Sequence, residues 1–112
     1  MNASSQTLQS QGSPILLLAH LLTAHPDLPA ATYHVDNIVP DHLYISLHDG
    51  DFGRFEEWRL LLGLGVPVTH IFGESTWVDV EGVVQDVPVR LTGHGTAAEV
   101  AAYVASNTAV AA

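Results

Sequence analysis

Hydrophobic positions near the start of the chain predict a first helix over residues 13–24. Ser13 is a suitable N-cap, and Pro14 fits the first helical position. The run of Ile and Leu at 15–18 gives this helix an apolar surface wider than an ordinary amphipathic face. We therefore expect the first helix to be mostly buried.

Two further helices are predicted from spacing and from their end signals. The second begins after Asp49-Gly50-Asp51, with Asp49 or Asp51 as its cap, and Gly63 ends it. The third is rich in Ala and is capped by Thr96. It contains a single acid, Glu99, so its surface is nearly neutral.

Alternating patterns predict five strands between the helices, over residues 32–36, 43–48, 68–72, 76–80 and 83–91. An antiparallel pairing with Val35 opposite Leu43 puts the apolar residues of the first two strands on one face. A turn is predicted at Glu81-Gly82, and residues 93–95 (Gly-His-Gly) are expected to form a loop. Pro88 cannot donate a ladder hydrogen bond, so the last strand is expected at an edge or with a bulge.

These elements predict an α+β fold in the order α-β-β-α-β-β-β-α. Because the connections between consecutive strands are short, we expect an antiparallel sheet of about five strands packed against two or three helices. The polar segment 1–12 is expected to be a flexible tail, residues 13–107 a single domain, and residues 108–112 a fraying end.

The composition of the chain narrows the range of functions that it could have. The chain of 112 residues is 47% hydrophobic and has no cysteine, which excludes disulfides, thiolate metal sites and cysteine nucleophiles. Its net charge is −9 and it contains no lysine, which argues against binding to nucleic acid or to an anionic membrane. No basic residue precedes the apolar run at 15–18, so no secretory signal is predicted and a cytoplasmic location is expected.

Two segments resemble those of a family of small uncharacterised proteins from actinobacteria. They are LLAHLLTAHPDLP and LYISLHDGDFGRFEEWRLLLGL, and they carry a leucine-rich helix, a hairpin and a helix with an F-x-x-W pattern. The resemblance covers roughly the first two-thirds of the chain. No activity is assigned to such proteins, so the resemblance implies none here.

The most unusual compositional feature is the presence of seven histidines. The predicted register places His34, His42 and His48 on one sheet face, with Asp36 beside them. Imidazoles with a carboxylate are suitable ligands for zinc or another divalent metal. The alternative is a solvated face without a ligand, which the lack of any H-x-x-x-H or HExxH spacing favours.

No other motif predicts catalysis or a cofactor. The segment His48 to Asp51 fits a strand end, a turn and a helix cap. Gly93 to Thr96 lacks the lysine of a phosphate-binding loop, and no G-x-S-x-G is present. Trp77 belongs either to the core or to an exposed contact surface.

The sequence therefore favours a non-enzymatic protein-interaction module, binding either a second copy or another protein through its nearly uncharged terminal helices. The alternative is a small metal- or ligand-binding protein that uses the histidine-rich sheet face. A third hypothesis is an acidic protein that imitates nucleic acid for a basic partner.

Overall fold

The structure is a computed structural model that describes residues 6–111, with side chains described as far as residue 107. A short 3-10 helix, Leu8–Gln11, precedes the main elements. These are α1 (Gly12–Ala24), β1 (Thr32–His34), β2 (Leu43–Leu47), α2 (Phe52–Leu62), β3 (Val68–Phe72), β4 (Ser75–Val84), β5 (Val87–Gly95) and α3 (Ala97–Ala111). The α+β class and the predicted order of elements are confirmed.

The five strands form one mixed sheet in the order β1-β2-β5-β4-β3. All neighbours are antiparallel except β2 and β5, which run parallel. The prediction of an antiparallel sheet is wrong at this pair. The chain between β2 and β5 includes α2, β3 and β4, and so supplies the long crossover that parallel neighbours need.

The first hairpin follows the predicted register. Tyr33 lies opposite Ile45, which is the same offset as the predicted pairing of Val35 with Leu43. Leu43 and Ile45 are fully buried on the helix side of the sheet. Alternation alone was sufficient to predict this pair, because a shift by one residue would have moved the apolar residues to the opposite face.

The hairpin formed by β4 and β5 is longer than predicted. Its turn is at Gln85-Asp86, which adopt φ values of 49° and 66°, as a tight hairpin turn requires. Glu81 and Gly82, where a turn was predicted, pair with Arg90 and Val89 inside the β4–β5 ladder. The segment at residues 93–95, expected to be a loop, forms the end of β5.

Pro88 lies in the central strand of the sheet, so the expectation of an edge strand is wrong. Pairing between β2 and β5 begins one residue later, at Val89 opposite Leu43. At Pro88 the strand therefore has a neighbour only on the β4 side, where Val83 lies opposite. The missing N–H is tolerated because β5 is locally an edge at this residue.

All three helices cover the same face of the sheet, where α1 and α2 contact β5 and α3 contacts β4 and β5. Phe55, Leu91 and Ile45 are completely buried between the layers. Gly93 faces the rings of α2 so closely that an added Cβ would lie 2.8 Å from Cδ2 of Phe55. The glycines of β5 thus let the aromatic rings pack directly on the sheet.

The predicted caps of α2 and α3 are confirmed, whereas the predicted cap of the first helix is wrong, because Ser13 lies inside α1 and Gln11 is its N-cap. The Asp51 side chain accepts a hydrogen bond from the amide of Gly53 at 3.0 Å, and Gly63 ends α2 with a φ of 69°. Thr96 and Glu99 form a reciprocal capping box at the start of α3. Each cap satisfies backbone groups that would otherwise have no partner within the helix.

An ion pair with a tyrosine joins α2 to α3. Arg59 binds the carboxylate of Glu56, and the hydroxyl of Tyr103 donates to Glu56 Oε2 at 2.6 Å. The arginine bond and the tyrosine bond lower the pKa of Glu56, and burial raises the pKa of Tyr103. The network links α2 to α3 through three mutually bonded side chains.

The ends of the domain differ from the prediction. Residues 8–11, expected to belong to a flexible tail, form the 3-10 helix, and residues 1–5 of that tail lie outside the described residues. The helix α3 continues to Ala111, beyond the predicted end of the domain at residue 107, and residue 112 lies outside the described residues.

Burial of the first helix is also less than expected. Pro14, Leu17 and Leu21 are buried, whereas Leu16 is 70% exposed and Leu22 is 72% exposed. The prediction is wrong because only one side of α1 meets the sheet.

Candidate functional site

The face of the sheet opposite the helices is uncovered among the described residues, and we call it the open face. Its residues alternate in sequence with the buried residues of the same strands. It carries polar and aromatic side chains where the helix side carries Leu, Ile and Val. Its polar and aromatic members on the three inner strands are Tyr44, Ser46, Trp77, Asp79, Glu81, Arg90, Thr92 and His94, and Val83 and Pro88 lie on it as well.

Four aromatic rings form a continuous row across the open face, which we call the ring row. His48 stacks on His94 with ring centroids 4.4 Å apart and planes within 8°. His94 lies 6.4 Å from Trp77, and His70 stacks on the other side of Trp77 at 5.3 Å. The parallel pairing of β2 with β5 is what brings His48 beside His94.

Polar contacts hold the two ends of the ring row. His70 Nε2 lies 3.0 Å from Asp79 Oδ1, and Ser46 Oγ lies 3.1 Å from His48 Nε2. Burial, followed by the charge of His48, lowers the pKa of His94. Because neighbouring rings occupy one another's faces, a ligand could stack only on the outer sides of the two end members, His48 and His70.

A second cluster surrounds Tyr44 at the other end of the open face. His34 and His42 both contact its ring, at centroid distances of 5.8 Å and 6.2 Å. Arg90 lies 5.9 Å from the centroid of the same ring and also pairs with Glu81 on the next strand. The guanidinium is thus already engaged by a carboxylate and by an aromatic face.

The four candidate metal ligands named from the sequence, His34, Asp36, His42 and His48, do not form one cluster. His34 lies 3.6 Å from Asp36, His42 pairs with its neighbour Asp41 at 3.0 Å, and His48 belongs to the ring row. Within residues 6–111, no group of three or more His, Asp or Glu side chains is placed to hold a metal ion. The predicted common face is correct, but the histidines on it do not converge.

The carboxylate of Asp36 has a structural partner of its own. It accepts hydrogen bonds from the amides of Val39 at 2.7 Å and Ile38 at 3.0 Å. These bonds lower its pKa, the one from Val39 contributing most. Asp36 therefore shapes the turn after β1 in the manner of an Asx turn.

The edge strand β3 is the most exposed apolar element of the sheet. Val68, Ile71 and Phe72 are 59%, 73% and 79% exposed. Val68 and Phe72 lie on the open face, whereas Ile71 lies on the helix side, opposite Thr76 of β4. The main helix contacts on that side are with β4 and β5, and the 73% exposure of Ile71 shows that the helices leave it largely uncovered.

The opposite edge strand, β1, is protected differently. It is only three residues long, and Tyr33 packs edge-on against Trp58 at a centroid distance of 6.1 Å. Just beyond it, the side-chain amide of Gln11 donates to the carbonyl oxygens of Val35 and Asp36. A three-residue strand, followed directly by carbonyls that are already bound, is a poor template for another chain.

A groove of about 410 Å³ lies beside α1. It is mainly apolar, and its wall includes exposed Leu22, half-exposed Tyr33 and the buried ring of Trp58. The indole N–H of Trp58 is already bound to the carbonyl of Pro29 at 2.9 Å. The groove therefore offers apolar contact with few polar groups to orient a ligand.

Comparison of the chain with protein-family models, with curated proteins and with solved structures returns no match. In the described part of the chain, no helix combines the length and the apolar character needed to cross a membrane. The case for a function rests on the geometry of the chain itself.

Sequence reasoning missed the ring row. Trp77 was recognised as either a core residue or an exposed contact residue, and the structure places it half-buried on the open face. The alternation of Trp77 with buried Val78 was the available signal. His70 and His94 carried no such signal, because their neighbours depend on strand pairing between distant segments.

Proposed function

We propose that this chain is a non-enzymatic protein-interaction module that binds another polypeptide as an added strand along β3. The observation that carries the proposal is the exposure of β3, whose three large apolar side chains are 59–79% exposed at an unpaired sheet edge. An exposed, apolar edge strand is the template used in strand addition.

The backbone of β3 supports this proposal. Its five residues pair with β4 on one side, and among residues 6–111 no strand pairs with its other side. Alternate N–H and C=O groups of such a strand point away from the sheet and can receive a partner strand. Side chains on both faces of β3 would add apolar contacts to those hydrogen bonds.

Features that commonly protect an edge are lacking within β3 itself. The strand Val68–Phe72 contains no charged residue and no proline. Natural edges are commonly blocked by lysine, proline or a bulge. The chain has no lysine at all, and its nearest proline, Pro67, lies just before the strand.

The alternative of a metal- or ligand-binding sheet face has weaker support. The candidate ligands lie apart, and the inner ring faces of the ring row are occupied by neighbouring rings. A protein contact needs neither convergence of ligands nor free ring faces, so the geometry favours the interaction module.

Selection of peptides from a displayed library of extended sequences would test strand addition directly. We expect selected peptides to slow hydrogen exchange at β3 amides, because an added strand protects outward-facing N–H groups. Ile71→Lys, at a residue 73% exposed, should weaken their binding by at least about tenfold, because a charge is placed in the strand contact.

Val83→Lys is the matched control for this test. It makes the same charge change at a residue 69% exposed, but in the β4–β5 hairpin rather than at the β3 edge. It should leave peptide binding unchanged. Peptides that bind equally well to Ile71→Lys, or that protect a different element, would overturn strand addition at β3.

A further inference from the structure

We infer that the strand received by β3 is β3 of a second copy, paired antiparallel about a twofold axis at His70. This inference rests on the proposed function and names the partner for the same edge. It is carried by three observations: the residue pattern of β3, the position of the ring row and the distribution of charge.

The residue pattern of β3 is self-complementary in one register. With His70 opposite His70 of the second copy, Val68 lies opposite Phe72, and Thr69 lies opposite Ile71. Opposite residues must share a face of the joined sheet, and Val68 and Phe72 both lie on the open face, whereas Thr69 and Ile71 both lie on the helix side. All five residues of the strand are then paired.

Symmetry excludes the registers in which the twofold axis would pass between two residues of the strand. A twofold axis normal to the sheet keeps both open faces on the same side, so the axis must pass through a residue position. A centre at Thr69 or at Ile71 would leave one end of the strand unpaired. The His70 centre alone uses the whole ladder and sets apolar side chains opposite one another.

The ring row provides the second observation. His70 is its last member, with Trp77 on its inner side and the unpaired edge on its outer side. In the proposed register the two copies of His70 are direct neighbours across the axis. The ring row of one copy would therefore continue into that of the other, and the open side of His70 would be covered by a ring.

Charge provides the third observation. Each copy has a net charge of −9, yet residues 60–73 carry no formal charge. In the proposed register Glu74 lies opposite Val66 of the second copy, so no acid faces an acid along the ladder. The β3 edge is thus a place where two acidic chains can approach without placing carboxylates in contact.

The expected interface is small, because it consists of a five-residue ladder and the side chains beside it. We therefore expect a weak dimer, populated at high micromolar to millimolar concentration. Raising the salt concentration should strengthen it, since salt screens the repulsion between two acidic molecules. Sedimentation equilibrium over this concentration range, at low and at moderate salt, measures both effects.

The variants Ile71→Lys and Val83→Lys separate the β3 edge from a general effect of charge. We expect Ile71→Lys to weaken dimerisation by at least about tenfold, because like charges meet near the axis. Val83→Lys should leave it unchanged or slightly stronger. A strict monomer at millimolar concentration, or equal dimerisation of both variants, would overturn the inference.

Single cysteines test the register, since the natural chain has none. His70 is the only residue placed opposite itself, so His70→Cys should form a disulfide-linked dimer under mild oxidation. Thr32→Cys, on the exposed edge strand β1, is the control and should cross-link much less. A mixture of Thr69→Cys and Ile71→Cys should cross-link more than either variant alone.

The outcomes distinguish this inference from the proposed function. If the protein stays monomeric but selected peptides still protect β3, strand addition stands and the second copy is not the partner. If Thr32→Cys cross-links and His70→Cys does not, self-association uses the β1 edge, the second copy is not the partner of β3, and peptide protection of β3 alone decides the proposed function. If neither peptides nor a second copy protect β3, both proposals fail.

Discussion

Strands β5 and β3 belong to the same sheet and carry apolar residues on the same side, but only β5 is covered by helices. Leu91 of β5 is fully buried beneath the helical layer, whereas Ile71 of β3 is 73% exposed. The two side chains are of similar size and polarity. Their difference comes from the position of the helical layer, which packs mainly on β4 and β5 and leaves Ile71 largely exposed.

This difference separates residues that stabilise the fold from residues available for binding. Burial of a Leu or Ile side chain contributes about 1.5–3 kcal/mol to folding, and an exposed one contributes little. An exposed apolar residue on an uncharged edge strand is therefore not explained by the stability of the monomer. It is explained if a second strand covers it.

The largest expected effect is a contrast between Leu91→Ala and Ile71→Ala. Leu91→Ala should lower the free energy of unfolding by about 2–5 kcal/mol, because it opens a cavity between β5 and the helices. Ile71→Ala should change it by less than about 0.5 kcal/mol, as at other exposed positions. Urea denaturation at low protein concentration measures both; comparable losses would show that β3 is covered in the monomer.

A somewhat smaller effect is expected from Gly93→Ala. The new Cβ would lie 2.8 Å from Cδ2 of Phe55 and 3.0 Å from Cε1 of Phe52, so the rings of α2 must move. We expect a loss of about 1–3 kcal/mol in the free energy of unfolding, as for overpacked cores. The thermal unfolding midpoint should fall accordingly.

Gly65→Ala is the matched control for that substitution. Nothing lies within 4 Å of a Cβ added at Gly65, which follows α2 outside any strand. Its stability should stay within about 0.5 kcal/mol of the wild type. If both substitutions have the same effect, the close contact of α2 with β5 does not explain the glycine.

The same contrast shows what the sequence could predict. The order of elements and the β1–β2 register followed from local alternation and capping residues, which act over a few positions. Residues 93–95 were predicted to form a loop because glycine is common in loops. Here Gly93 serves a contact with Phe55, which is distant in sequence and invisible to a local pattern.

Pairing between strands that are distant in sequence also determined which residues surround the histidines of the candidate site. The face shared by His34, His42 and His48 was predicted correctly, because it depends only on alternation within β1 and β2 and on their hairpin. Their true neighbours depend on β5, which is parallel to β2 and brings His94 and Arg90 to the open face. Local patterns predicted antiparallel neighbours only, so the ring row could not be foreseen.

The smallest expected effect concerns His94, which is partly buried on the open face rather than exposed at the edge. Burial and the neighbouring charge of His48 lower its pKa, so the folded protein binds fewer protons at this residue than the unfolded chain. The destabilisation that follows from this lowered pKa is absent well above the unfolded pKa of about 6.5, and it grows as the pH falls through that value. The decline in stability between about pH 7.5 and pH 5 should therefore be shallower in His94→Gln than in the wild type. The control is His20→Gln, at an exposed residue of α1, which should retain the wild-type slope. Equal slopes in the wild type and in both variants would contradict an effect of burial at His94.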